Sequence, residues 1–359
     1  MNIASYGACG TGKHDDGNAI TRAAGTGPEG AIIYFPPGTY RHGRMLRIAA
    51  PNIILFSEKA VLQPFNPEDS SIRLDGDNDM MIGFRLTMPP YAGRSSKYST
   101  VRILIGGTGN YVLNNKIDGS RSAGIASAGA QHFTISGNIV SGTSADGIHM
   151  THGSRYGLVS RNIVSNTGDD LIAVVSYRSD NDAKPLPISS DILIANNVVG
   201  PNSWGRGISV AGGERITIEN NLIKDNATAA GILIAQERAY HTYGASDITV
   251  TGNTVVNNQQ FDAPPGKSQA GHSALQIAAD REENLTVSDV RFINNRVINA
   301  RYGAFSIRGA ACHIAVDGLE IDGGSKKITV SGSGCSVNIV TCKGIRTGKD
   351  SAPYKGCMD

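Results

Sequence analysis

The sequence predicts an all-β fold: a single-stranded, right-handed parallel β-helix whose short coils stack into a solenoid. Three observations predict it. One pattern recurs: an alternating strand, an asparagine, two apolar residues, a polar turn, and a second strand opening on a small residue, as in HFTISGNIVSGTSADGIHM and RITIENNLIKDNATAAGILI. The recurring asparagines, Asn115, Asn138, Asn162, Asn197, Asn221, Asn253 and Asn295, lie 23, 24, 35, 24, 32 and 42 residues apart. That is a base period of 23 to 24 residues carrying three insertions, the signature of a stacked repeat. The third observation is composition: 44 glycines and a single tryptophan suit many tight turns and few long helices. A leucine-rich repeat is the competing reading of the period, but neither a leucine signature nor helical periodicity supports it.

The elements follow in order along one domain, residues 1–359. Residues 1–45 read as a cap module. Asp15 to Ala24 is a short N-capped helix ending at Gly25, and Ala31 to Phe35 is a strand stopped by Pro36-Pro37-Gly38. Such a helix would cover the open end of a solenoid, where strand edges are otherwise exposed. Residues 46–320 are the repeat coils. Each is too short to bury its own apolar face, so stacking must create the core. The repeated asparagine is expected to adopt left-handed geometry at the turn and to bond its counterparts above and below, a structural ladder. Residues 321–359 lose the asparagine register and read as irregular coils and a tail.

Charge and cysteine usage exclude several classes. A formal net charge of +2 without a basic run gives no support for nucleic-acid binding. No apolar run approaches the roughly 20 residues of a membrane span. The opening Met1-Asn2-Ile3-Ala4-Ser5 has neither the charged nor the apolar region of a signal peptide. The five cysteines, Cys9, Cys312, Cys335, Cys342 and Cys357, include no CxxC pair, so zinc is not expected. Cys335 and Cys342 either close a local loop or remain free thiols.

Aligning the coils on their second strand gives Asp146, Asp170 and Arg206 one shared position on three consecutive coils, with Asp169 one residue away. Neighbouring coils lie about 4.8 Å apart. Carboxylates that close drive their proton affinities apart, so one serves as general acid and another as base. Glycoside hydrolysis uses such a pair, roughly 5–5.5 Å apart for retention or 6.5–9.5 Å for inversion, and the register alone leaves that choice open. Ordinary turn capping and Ca²⁺ binding are alternatives for the same aspartates; no other cofactor is expected. Arg206 would hold either a substrate carboxylate or Asp170 itself. Period-two alternation sends Ile148 and Met150 inward and His149 outward, beside the aspartates. The three insertions are expected to extend from the end of the second strand or the turn near it, on one side of the solenoid. They carry Tyr177, Arg178, Arg238, Tyr240, Tyr243 and Phe261. These are rings to stack on sugars and guanidinium groups to hold acids, on the side where long loops build a binding face.

Two stretches carry a family resemblance. SYGACGTGKHDDGNAITRAA followed by AIIYFPPGTYR resembles the opening module of the pectate-lyase-like superfamily, which implies the β-helix fold and is shared by secreted polysaccharide-degrading enzymes and phage tailspike depolymerases. Residues 143–148 (TSADGI), 168–173 (GDDLIA) and 205–209 (GRGIS) resemble successive elements of polygalacturonases. The resemblance implies Asp146, Asp169 and Asp170 as acid/base carboxylates and hydrolysis with inversion. Arg206 stands where that family has histidine, and Gln236-Glu237-Arg238 is only a loose counterpart of its Arg-Ile-Lys clamp. The expectation is a glycoside hydrolase acting on an acidic glycan, extracellular or borne on a virion. The alternatives are a polysaccharide lyase, with Arg206 or Arg238 as base and Ca²⁺ as electrophile, and a tailspike-type binding module. A phage spike would be a homotrimer; otherwise a monomer is expected.

Overall fold

The computed structural model describes residues 1–179, 183–280, 285–332, 337–339 and 342–343. They form two compact units, residues 1–169 and 170–359, each a stack of coils with three parallel sheets among the described residues. One coil shows the plan. Thr134–Ser136 belongs to the first sheet, Ile139–Thr143 to the second and Ile148–Thr151 to the third. The sequence pattern shows two strands per coil; the third is its pair of apolar residues after the asparagine. Two or three residues are too few to show alternation, yet Val140 points into the core and Ile139 out of it.

In the N-terminal unit a helix spans Gly17–Thr26 and buries Ala19, Ile20, Ala23 and Ala24. It packs against the strands Thr39–His42 and Leu46–Ile48, covering the first coil as expected. Its start differs from the sequence reading. Asp16 occupies the cap position but makes no side-chain cap bond. Its carboxylate instead accepts the backbone N–H groups of Cys9 (2.6 Å) and Gly10 (3.3 Å), tying down the glycine-rich turn. Asp15 bonds the N–H of Gly17 (2.8 Å) and of Gly43 (3.1 Å). The helix runs past Gly25 and ends at Gly27. Further along, the third sheet keeps one register through Ile72, Ile103, Ile125 and Ile148. These four isoleucines are fully buried, a column of branched side chains that suits strands packed on their inner face.

The C-terminal unit repeats the plan. Ile172, Ile208, Ile232, Leu275 and Phe305 are register partners in its third sheet. Within residues 321–359, read as irregular coils and a tail, the strand Ile328–Ser331 pairs with the preceding coil through Phe305 and Ile328. Cys9 is free and exposed, and Cys312 is disulfide-bonded rather than free. Cys335 and Cys357 lie outside the described residues, and with Cys335 the choice between a loop closed to Cys342 and free thiols.

The asparagine ladder is present in both units. The Oδ1 of Asn138 accepts the backbone N–H and the amide of Asn115 (2.9 and 3.2 Å), and Asn162 does the same for Asn138. Asn197, Asn221, Asn253 and Asn295 form the same ladder within the second unit. The left-handed residue, however, is the one before each ladder asparagine: Asn114, Gly137, Arg161, Asn196, Asn220, Gly252 and Asn294. That residue turns the chain, and the turn aims the next side chain inward, where its amide must find partners.

Candidate active site

In the N-terminal unit, Asp146 sits in the turn between the second and third sheets, and Asp169 ends the unit after the strand Ile163–Ser165. A close backbone crossing brings them together. Gly168 donates its N–H to the Ala145 carbonyl, and a side chain there would meet the Ser144 carbonyl oxygen at 2.3 Å. Only glycine fits this approach. A carboxylate oxygen of Asp146 and one of Asp169 then lie within 4.8 Å of each other. Two carboxylates at that spacing can also share one hard cation such as Ca²⁺.

Each aspartate has its own partner. His149 faces outward, as period-two alternation predicts, and its Nδ1 lies 2.5 Å from Asp146 Oδ2. Asp169 Oδ2 is paired at 2.6 Å with Arg94 Nη1. Arg94 is a residue the sequence reading missed. It arrives on a loop pinned by Tyr91, whose hydroxyl bonds the carbonyls of Ser120 (2.9 Å) and Gly142 (3.2 Å), and by Arg121, whose Nε donates to the Gly93 carbonyl (3.2 Å). Nothing in the repeat pattern marks this loop. Asp146 is 8% exposed, whereas the side chain of Asp169 is 25% exposed and half of Arg94 reaches solvent.

In the C-terminal unit, Asp170 and Arg206 share one register position, two residues before the paired Ile172 and Ile208. Asp170 is 4% exposed and surrounded by donors. Its Oδ1 accepts the Arg206 backbone N–H (2.7 Å) and lies 3.1 Å from Arg206 Nε, and its Oδ2 accepts the Ser209 hydroxyl (2.5 Å). Arg206 Nη2 reaches both oxygens of Glu237 (3.2 and 3.3 Å). Arg206 is thus held between two carboxylates. Burial, with the charges of Arg308 and Arg206, pushes the pKa of His272 down to about 4.

The loop residues fall into two groups. Tyr177 packs on Ala173, Val175 and Ala211, while Arg178 donates its N–H to the His241 carbonyl and places Nη2 3.3 Å from His241 Nδ1. Tyr243 donates its N–H to the Ser176 carbonyl. These three knit two insertions together. Arg238 lines an open cleft of ≈ 610 Å³ with Ala239, His241 and Asp280, and Tyr240 and Phe261 stand exposed. The insertions do not all leave the same edge. Those after Ile172–Val175 and Ile232–Gln236 follow a third-sheet strand. The one carrying Phe261 follows the second-sheet strand Thr254–Val256 and precedes Leu275–Ala279, so it borders the third sheet from its other edge. Asp180 lies outside the described residues.

A family model of the right-handed β-helix region matches residues 95–254, and a model described as rhamnogalacturonase A/epimerase, pectate lyase-like, matches residues 1–60. Curated protein sequences give no match. Among solved structures, the chain is similar to the catalytic unit of a GH87 α-1,3-glucanase from Streptomyces thermodiastaticus (20% identity, 94% of this chain, 68% of that one, TM-score 0.64). It is also similar to the A-module of the mannuronan C-5 epimerase AlgE4 from Azotobacter vinelandii (16%, 94%, 100%, TM-score 0.62). A third is the family 28 exopolygalacturonase of Yersinia enterocolitica (14%, 94%, 78%, TM-score 0.59). At such identities these likenesses establish the fold.

Proposed function

We propose, from the premise that this chain is a right-handed parallel β-helix with a pectate-lyase-like opening module, that it cleaves a polysaccharide by glycoside hydrolysis. The observation that carries the reading is the close approach of the Asp146 and Asp169 oxygens, each with a different partner. Asp169, ion-paired with Arg94, is the negative carboxylate that attacks the anomeric carbon or activates water. Asp146, bridged to His149, gives its proton to the departing glycosidic oxygen, and His149 restores it from solvent. Asp170, whose oxygens are engaged by Arg206 and Ser209, is read as a positioning residue within its own unit. The polygalacturonase resemblance implies inversion, and the anomer of the first product tests it.

The sugar is expected to be acidic, because Arg238 lines the open cleft of the C-terminal unit. That same arginine favours a second reading, a lyase that removes a proton beside a uronate carboxylate. Arg206, tied to Asp170 and Glu237, is a poor base for it, which leaves Arg238. The deciding experiment is a reducing-end assay on a panel of acidic and neutral polysaccharides, with Asp146→Asn and Asp169→Asn alongside. Hydrolysis predicts new reducing ends without ultraviolet-absorbing unsaturated sugar, insensitivity to EDTA, and a loss of at least about a hundredfold in either variant. Full activity in both variants, with an unchanged circular dichroism spectrum, sinks the assignment. Tight glycan binding without turnover would make the chain a binding module.

A further inference from the structure

We propose that the interior of the N-terminal unit binds one small monovalent anion beside Arg102. The side chain of Arg102 is 0% exposed, inside a stack whose other large buried side chains are aromatic and aliphatic. Its guanidinium donates to two neutral carbonyls, Ser70 (2.6 Å) and Leu62 (2.9 Å), and its Nε has no partner. Carbonyls satisfy protons but do not cancel a charge, and a buried charge without a counterion is strongly unfavourable. Guanidinium does not escape by deprotonating.

The surroundings supply donors rather than a counter-charge. Ser70 and Ser71 are fully buried, and neither hydroxyl has a partner. Ser71 is the register partner of Arg102 in the preceding coil, one residue before the paired Ile72 and Ile103. His42 is also fully buried, and its Nδ1 lies 2.8 Å from the Arg44 carbonyl. That nitrogen must carry the proton, so Nε2 is a bare lone pair. Burial and the charge of Arg102 push His42 down to about 3, so it adds no second positive charge at neutral pH. The permanent charge of Arg102 and its unpartnered Nε–H call for one acceptor with a single negative charge, and the unpartnered hydroxyls of Ser70 and Ser71 lie on the preceding coil. A halide is the smallest probe of that kind.

The test uses the full chain at fixed pH and ionic strength, melted in sodium chloride, sodium bromide and sodium gluconate. The halides should raise Tm by about 2–4 °C over gluconate, saturably, and Arg102→Met should abolish the difference. Crystals grown from protein purified in bromide should show an anomalous peak within hydrogen-bonding distance of Arg102 Nε. That second measurement needs no variant to fold. Equal melting in all three salts overturns the proposal. So does the absence of a bromide peak, including the case where water alone occupies the site.

Discussion

The two turns of the same coils in the N-terminal unit follow opposite rules. At the ladder turn, Asn115, Asn138 and Asn162 repeat one side chain with one set of bonds, and each amide also donates to a carbonyl of an earlier coil: Met81, Val112 and Ile135. At the aspartate turn nothing repeats. Asp146 meets a histidine three residues on, and Asp169 meets an arginine 75 residues back in the chain. Identical polar groups that satisfy one another hold the stack together. Unlike charged groups, with a partner brought from a distant loop, stand where the proposed reaction would take place. Repetition therefore marks the scaffold, and its failure marks the candidate site.

That contrast can be broken in four ways. The largest effect is expected in Asp169→Asn and Asp146→Asn, which should lose about 10²–10⁴-fold in turnover while melting like wild type; parallel loss of stability would make the aspartates structural. Next is Asn138→Ala. It strands the Asn115 N–H in the core, and should cost about 2 kcal/mol in denaturant unfolding with activity per folded molecule unchanged. Asp79→Asn is the converse case, an acid placed within repeating turns. Asp79 is fully buried, accepts the Ile53 N–H at 2.9 Å and takes a bond from its own N–H to Asn110 Oδ1 at 2.7 Å. Burial pushes it up to about 6. Its folded pKa is raised, so its contribution is fully present below pH 4 and lost as pH rises through 6. An uncharged asparagine should then stabilise the protein by about 2 kcal/mol at pH 7–8 and not at pH 4, read from melts across that range. The smallest effect belongs to Arg94→Met. Its half-exposed ion pair should be worth under about 1 kcal/mol of stability, while kcat/KM on an acidic glycan should fall about tenfold.

The same contrast explains what could be read in advance. The fold was legible because Asn115 to Asn295 repeat an inward-facing amide at one register, and a period needs no knowledge of contacts. Pairing Asp170 with Arg206 followed from that register too. Three features escaped it. The left-handed residue is Gly137 in one coil and Arg161 in the next, so no residue type announces it. Asp16 looks like a helix cap, and only the folded chain reveals that the N–H groups of Cys9 and Gly10 compete for it. Arg94 and Arg102 are single basic residues outside the repeating asparagine positions. One is aimed at an aspartate and the other is buried, and neither outcome leaves a periodic trace.

The ladder has a further consequence. Its N–H to Oδ1 distance is 2.9 Å between Asn115 and Asn138, 23 residues apart. It is 3.0 Å across the 32 residues from Asn221 to Asn253 and across the 42 from Asn253 to Asn295. The frame is blind to how much chain is spent between rungs, and lengthening an exposed loop costs little entropy. Loops at the rim can therefore be lengthened, trimmed or exchanged as interchangeable cassettes without renegotiating the stack.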